Sequence, residues 1–358
     1  MTVAGAPVRA TAPGRVNLIG DHTDYTGGLV LPMAIDRATT ITGHRGGTRV
    51  RLDSADESGT VDLPLDIADP TAVEPAWGRY VAGVVAEGHP TAGFEGRATT
   101  TIPIGAGLSS SAALGVAVAL ALGVHDGERR RGSTALGSTA LGSTSISSAS
   151  LAALCQRAEQ RASGVPCGIM DQLTCLAGID GHALLIDCHS LDIRPVRVPD
   201  NLEIVVWFVA HRTLAGSAYA QRVAECATAE REIGPLRAAT SRDVQGIADN
   251  VVRRRATHVV GENDRVRAMA AALAADDRPA IGALLLEGHR SLAERYETST
   301  PEMDAAVEHL ASLRGVHGAR MTGGGFGGCV VAVAEPGSIE LTSTRWRVRA
   351  SVGASVTA

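Results

Sequence analysis

The 358 residues contain no lysine; all 33 residues counted as Lys+Arg are arginine. That absence excludes a phosphate loop of the GxxxxGK[ST] kind, whose lysine reaches the β- and γ-phosphates. It also excludes a protein-kinase site with its ion-paired lysine and any Schiff-base lysine, including one holding pyridoxal phosphate. The plainest origin is a compositional preference for arginine in a GC-rich genome. Cysteine is sparse and scattered: six residues with no CxxC pair and no His/Cys spacing suited to zinc. No apolar stretch approaches the roughly 20 residues of a membrane span. Residues 1–12 lack a charged segment leading into an apolar one, so no signal peptide is expected. Scattered thiols without an export signal fit a reducing compartment, and a cytoplasmic location is the expectation. The net charge is −5 and the pI about 6.1, so neither nucleic acid nor an anionic membrane is expected as a partner. The arginine runs at 129–131 and 253–255 read as solvated faces.

What is present is an ordinary globular composition, 45% hydrophobic and 20% charged, at a length that suggests two domains. A composition break near 195–200 divides the chain into residues 1–196 and 197–358. Within the first part, 127–150 reads as a flexible low-complexity insertion, because GSTALGSTALGSTS repeats every five residues, far too short a period for a solenoid unit. Apolar spacing of three to four predicts helices over 151–162, 218–231, 264–275, 279–290 and 303–313. Strands are expected at 183–187 and 203–210, the second nearly continuous in apolar character and hence buried. Mixing without a regular βαβ repeat indicates an α+β fold.

Four segments carry chemistry. IPIGAGLSSSAALGVAVAL (102–120) reads as a glycine loop opening into a helix. Backbone amides, the helix dipole and the hydroxyls of Ser109, Ser110 and Ser111 could then cradle a phosphate without lysine; a tight turn before a core helix is an equal alternative. MTGGGFGG (321–328) contains a GxGxxG pattern, but no βαβ unit follows, which argues against a dinucleotide fold. Residues 15–25 hold Arg15, Asn17, Asp21, His22, Asp24 and Tyr25. Carboxylates beside an imidazole suit a ligand whose hydroxyls both donate and accept; a surface turn or, less readily, a metal site are the alternatives. GVPCGIMD (164–171) places Asp171 after a small-residue loop, with Glu159 twelve positions earlier on the preceding helix. Base and metal ligand are possible roles, although alone Asp171 reads best as a helix cap.

Taken in order, GRVNLIGDHTDYTGG (14–28), GAGLSSSAA (105–113), VPCGIMDQ (165–172) and MTGGGFGGC (321–329) resemble the GHMP sugar kinases, in particular those acting on galactose. The resemblance runs from about residue 9 to 333. It implies a two-domain α+β fold, an N-terminal ribosomal-protein-S5-like domain and a C-terminal ferredoxin-like domain, with ATP and sugar at the junction. It implies transfer of the γ-phosphoryl of ATP to the anomeric hydroxyl of galactose; a monomer is the expectation, although the sequence itself is silent on oligomeric state. By position, Asp171 is the carboxylate facing that hydroxyl and Arg15 lies beside it. Asp21, His22, Asp24, Gly168 and Tyr219 match sugar contacts. Gly105, Gly107, Leu108, Ser109, Ser110, Ser111 and Trp77 match nucleotide contacts, and Ser111 and Glu159 match Mg²⁺ ligands. Kinases for arabinose or an N-acetylhexosamine, and a catalytically silent sugar sensor, are the alternatives; the intact serine loop speaks against the sensor. Three departures stand out. Asp21 replaces the usual glutamate, residues before Leu214 in AHRTLAGSAY (210–219) are permuted, and a helix expected after Val333 is missing.

Overall fold

The computed structural model describes residues 7–124, 146–211 and 216–357. The five-residue repeat GSTALGSTALGSTS, and residues 212–215 of the permuted segment, lie outside them. Positions 146–150, the end of the expected insertion, begin a helix.

The first sheet has six strands in the order β13-β1-β3-β6-β4-β5. These are β1 (Pro7–Asn17), β3 (Pro32–Arg45), β4 (Arg49–Ser54), β5 (Val61–Pro64), β6 (Phe94–Thr100) and, from the far end of the chain, β13 (Ser355–Thr357). Their pairings are antiparallel except for parallel β4 and β6. A small sheet combines β2 (Leu29–Val30), β7 (His182–Asp187) and β8 (Ile193–Arg197). The third sheet runs β10-β11-β9-β12, all antiparallel, from β9 (Glu203–Ala210), β10 (Val316–Thr322), β11 (Gly328–Ala334) and β12 (Arg345–Val348). After Val348 the chain returns to the first sheet, where Ser355 pairs with Thr11. No helix among the described residues lies between β11 and β12, as the short connection suggested.

Nine α-helices are described: α1 (Gly78–Gly88), α2 (Ser110–Leu122), α3 (Ile146–Ser163), α4 (Met170–Ala177), α5 (Tyr219–Ile233), α6 (Ser241–Gln245), α7 (Asn250–Ala274), α8 (Arg278–Ser291) and α9 (Pro301–Ser312). Helix α7 is far longer than the 264–275 expected. Its first turns carry Arg253, Arg254 and Arg255, which hid the apolar spacing; Arg255 is in fact buried between Glu225 and Glu297. The run 253–255 is therefore only partly a solvated face. Helix α2 is apolar around its whole circumference, which marks a helix surrounded by protein, and ten of its thirteen residues are buried.

Strands β9 and β11 explain why period-two reading fails here. Ile204, Val206, Val331 and Val333 join the core that includes the first sheet. Val205, Val330, Ala332 and Ala334 face a second core with Met303 and Leu310 of α9. Both faces are covered, so apolar residues run without alternation.

Candidate active site

A cleft of about 400 Å³ lies where β1, the serine loop, α4 and the third sheet meet. The register of β1 against β3 shifts between Pro13 and Arg15, and such an irregularity redirects a side chain. Arg15 donates its backbone N–H to the Leu108 carbonyl at 3.2 Å and points into the cleft. Its Nε and Nη2 donate to the two carboxylate oxygens of Asp171, each at 2.7 Å, and its Nη1 donates to the Gly107 carbonyl at 2.8 Å. A planar fork on a carboxylate fixes position and angle together. Ser109 donates its hydroxyl to Asp171 Oδ2. Asp171 is the second residue of α4, whose N-cap is Ile169; it is held by Arg15 and does not cap the helix.

The serine loop enters α2 through three residues in the left-handed region. Gly105 and Gly107 have φ of 74° and 80°, and Ser109, the N-cap of α2, also sits in the left-handed region at 61°. Strain of this kind in a non-glycine residue collects at functional sites. Gly105, Gly107, Ser109, Ser110 and Ser111 line the cleft, whereas Leu108 does not; its side chain is buried in the core. Ser111 donates to Glu159 Oε1 at 2.6 Å, and Gln172 donates its amide to Oε2 at 2.7 Å. Burial pushes Glu159 up to about 7, against the pull of the Ser111 hydrogen bond. Trp77 lines the cleft, with its indole N–H on the Ser58 carbonyl at 3.2 Å. Tyr80 lies three residues on along α1 and also lines it.

The polyhydroxyl-binding candidates form the other wall. Asp21, His22, Asp24, Gly168 and Tyr219 all line the cleft. His22 is buried with φ of 67°. Its ring lies 5.6 Å from Tyr219 and 4.5 Å from Tyr296, and its Nδ1 is 3.0 Å from the Tyr25 hydroxyl. A Cβ on Gly168 would fall 2.1 Å from an Asp24 carboxylate oxygen, so only glycine permits that approach. Burial, reinforced by the nearby Asp171 charge, raises Asp24 to about 7. Asp21 accepts from Arg320 Nη2 at 2.7 Å and from the Gly323 N–H at 2.8 Å. Burial raises its pKa although Arg320 opposes the shift.

Sequence reading missed Arg320, Glu262, Tyr80 and Gln172. The available signal for Arg320 was a lone charge inside the apolar strand GARMT. Tyr80 could have been read from its place one turn after Trp77. Among the described residues no cluster of three or more His, Cys, Asp or Glu is arranged to hold a metal. The oxygens of Ser111 and Glu159 are nonetheless hard donors, and Mg²⁺ takes few protein ligands when phosphates and water complete its shell.

The mixed α+β frame of three sheets, with a serine loop facing a polar wall across one cleft, is that of a GHMP kinase. The GHMP kinases N terminal domain matches residues 77–130 and the GHMP kinases C terminal domain residues 269–347. The galactokinase galactose-binding signature matches residues 2–45. The chain is 41% identical over 342 residues to human galactokinase, covering 91% of this chain and 83% of that protein. It is 42% identical over 348 residues to the galactokinase of Roseiflexus sp. (strain RS-1), covering 92% and 84%. A solved structure of Lactococcus lactis galactokinase complexed with galactose superposes with a TM-score of 0.85 at 28% identity, covering 98% of this chain and 95% of that one. Methanococcus jannaschii mevalonate kinase shares the fold at a TM-score of 0.67 and 19% identity. The chain belongs to the galactokinase family.

Proposed function

We propose that this protein transfers the γ-phosphoryl group of ATP to the anomeric hydroxyl of galactose, releasing galactose 1-phosphate and ADP. Family membership supports ATP as donor and galactose as acceptor. The observation that carries the chemistry is the bidentate Arg15–Asp171 pair, set between the serine loop and the wall of Asp21, His22 and Asp24.

Phosphoryl transfer asks for positioning and for stabilisation of moving charge. The wall orients the sugar so that its anomeric hydroxyl meets Asp171. As the oxygen–phosphorus bond forms, Asp171 takes the hydroxyl proton, and the electron pair of the breaking bond leaves with ADP. Arg15 holds Asp171 as the anion, and its guanidinium steadies the γ-phosphate. Backbone amides of Gly105, Gly107 and Ser109 and the hydroxyl of Ser110 cradle the phosphates, with Trp77 near the base, while Ser109 keeps its hydroxyl on Asp171. Ser111 and Glu159 would hold Mg²⁺, which neutralises charge on the β- and γ-phosphates when bound. The same reading makes the protein a cytoplasmic monomer. Six free thiols are in keeping with the reducing compartment.

Coupled measurement of ADP release over a panel of galactose, arabinose and N-acetylgalactosamine tests the proposal. Turnover that depends on galactose, and is highest with it, is expected. Binding of ATP and galactose without turnover would refute it in favour of a sensor.

A further inference from the structure

We propose that Arg320 is a positioning residue that sets sugar selectivity by clamping Asp21. The inference rests on the sugar-kinase reading above and extends it to a residue at the end of β10. The Arg320 side chain is wholly buried between two carboxylates. Its Nη2 donates to Asp21 Oδ2 at 2.7 Å, its Nη1 to Glu262 Oε1 at 2.8 Å, and its Nε to the Met321 carbonyl at 3.2 Å. Glu262 is fixed in turn: Oε1 accepts the Gly20 N–H at 3.0 Å and Oε2 accepts from Arg265 Nε at 2.7 Å.

Asp21 therefore takes its placement from the C-terminal half of the chain. One oxygen meets Arg320, the other the Gly323 N–H at 2.8 Å, and its carbonyl lies 3.1 Å from His258 Nε2. The four buried charges of Asp21, Arg320, Glu262 and Arg265 balance. Such a network adds little net stability compared with an apolar core, and its best-attested return is a fixed arrangement. That return matters at a sugar site. A buried acid rejects an analogue lacking its hydroxyl only if it cannot swing to another partner. Asp21 lines the cleft and is denied that freedom by the fork of Arg320. A lysine carries a single ammonium and cannot reproduce the fork to both carboxylates.

Helix α8 closes the other side. A Cβ on Gly288 would fall 2.7 Å from Arg320 Nη1. Gly288→Ala therefore displaces the guanidinium while keeping every charge, and gives a second probe should Arg320→Lys fail to fold.

The test is a set of binding titrations and kcat/KM values with galactose and its 2-, 3-, 4- and 6-deoxy analogues, for wild type, Asp21→Asn, Arg320→Lys and Gly288→Ala. Wild type should discriminate strongly against one analogue, and Asp21→Asn should lose that discrimination. Arg320→Lys should lose about 10-fold at the same hydroxyl and less than about 2-fold at the others, with KM for ATP kept, since small misplacements of a positioning group cost rate steeply. Gly288→Ala should show the same pattern in weaker form. Even losses across the panel, or wild-type ratios in the folded variants, would overturn the role of Arg320. Wild-type protein that binds no galactose would instead overturn the sugar-kinase reading.

Discussion

Asp171→Asn removes one charge and almost no volume, so it isolates the chemistry. Asp171 accepts two hydrogen bonds from Arg15 at 2.7 Å and a third from the Ser109 hydroxyl. The amide keeps one acceptor oxygen and turns an NH₂ group toward one of those donors. Loss of a positioned base lowers kcat by about 10²–10⁴-fold, equivalent to about 2.7–5.4 kcal/mol in the barrier. A second effect falls on stability. The Arg15 side chain is 4% exposed and loses its counter-charge, while Asp171 at 24% exposed is partly reached by water. The cost should therefore stay below the roughly 3–5 kcal/mol of a fully buried pair broken on one side. The assay is galactose-dependent ADP release at saturating substrates, with binding titrations for each ligand and a melting curve for the variant. The expected result is a collapse in kcat with sugar affinity changed by less than about 10-fold. Arg15→Met added to Asp171→Asn should slow turnover further, because the guanidinium also steadies the γ-phosphate, but by less than the product of the two single losses, since the two residues share one pair. A folded Asp171→Asn protein turning over within about 10-fold of wild type would refute the assignment.

Other consequences follow from the same geometry. Glu159 is raised from 4.5 to about 7 by burial, so the folded state holds a proton that the unfolded state has released. Its contribution to stability is complete below about 4.5 and is lost as pH rises to about 7, at no more than about 1.4 kcal/mol per unit. Ligand-free Glu159→Gln should thus gain stability relative to wild type between pH 5 and 8 in parallel chemical denaturations; a constant difference across that range would contradict the shift. Ser111→Ala should raise the Mg²⁺ concentration for half-maximal activity by about 10-fold, and should weaken Mn²⁺ binding to the nucleotide complex measured by paramagnetic relaxation. Unchanged values in both would remove Ser111 from the metal site. Gly168→Ala drives a methyl group into the Asp24 carboxylate and should abolish detectable galactose binding while leaving ATP affinity within about 2-fold. Normal sugar affinity in that variant would show that the close approach has no bearing on the sugar.

The serine loop was legible in the chain because its information is local. Glycines, hydroxyls and an apolar helix follow within one short run, and nothing distant is needed to read them. The cluster at 15–25 was legible in composition, not in arrangement. Leu108 shows the limit: it lies within the loop, yet its side chain turns into the core. Gln172 carried no local signal separating it from ordinary helix residues, and Tyr80 had only its place one turn after Trp77. The helix start at 250 was obscured because charge at Arg255 normally marks a solvated face, and here two carboxylates bury it.

The sequence by itself determined the α+β class and the family, since each rests on residue types in consecutive order. Without lysine, the buried cations of this protein are arginine forks, which suit two-point carboxylate contacts. Only the tertiary structure decided which carboxylate each fork meets. Arg15 and Asp171 are 156 residues apart, and Asp21 and Arg320 are 299 apart. Such pairs depend on how three sheets and the helices between them close on one cleft, and spacing along the chain does not encode that distance.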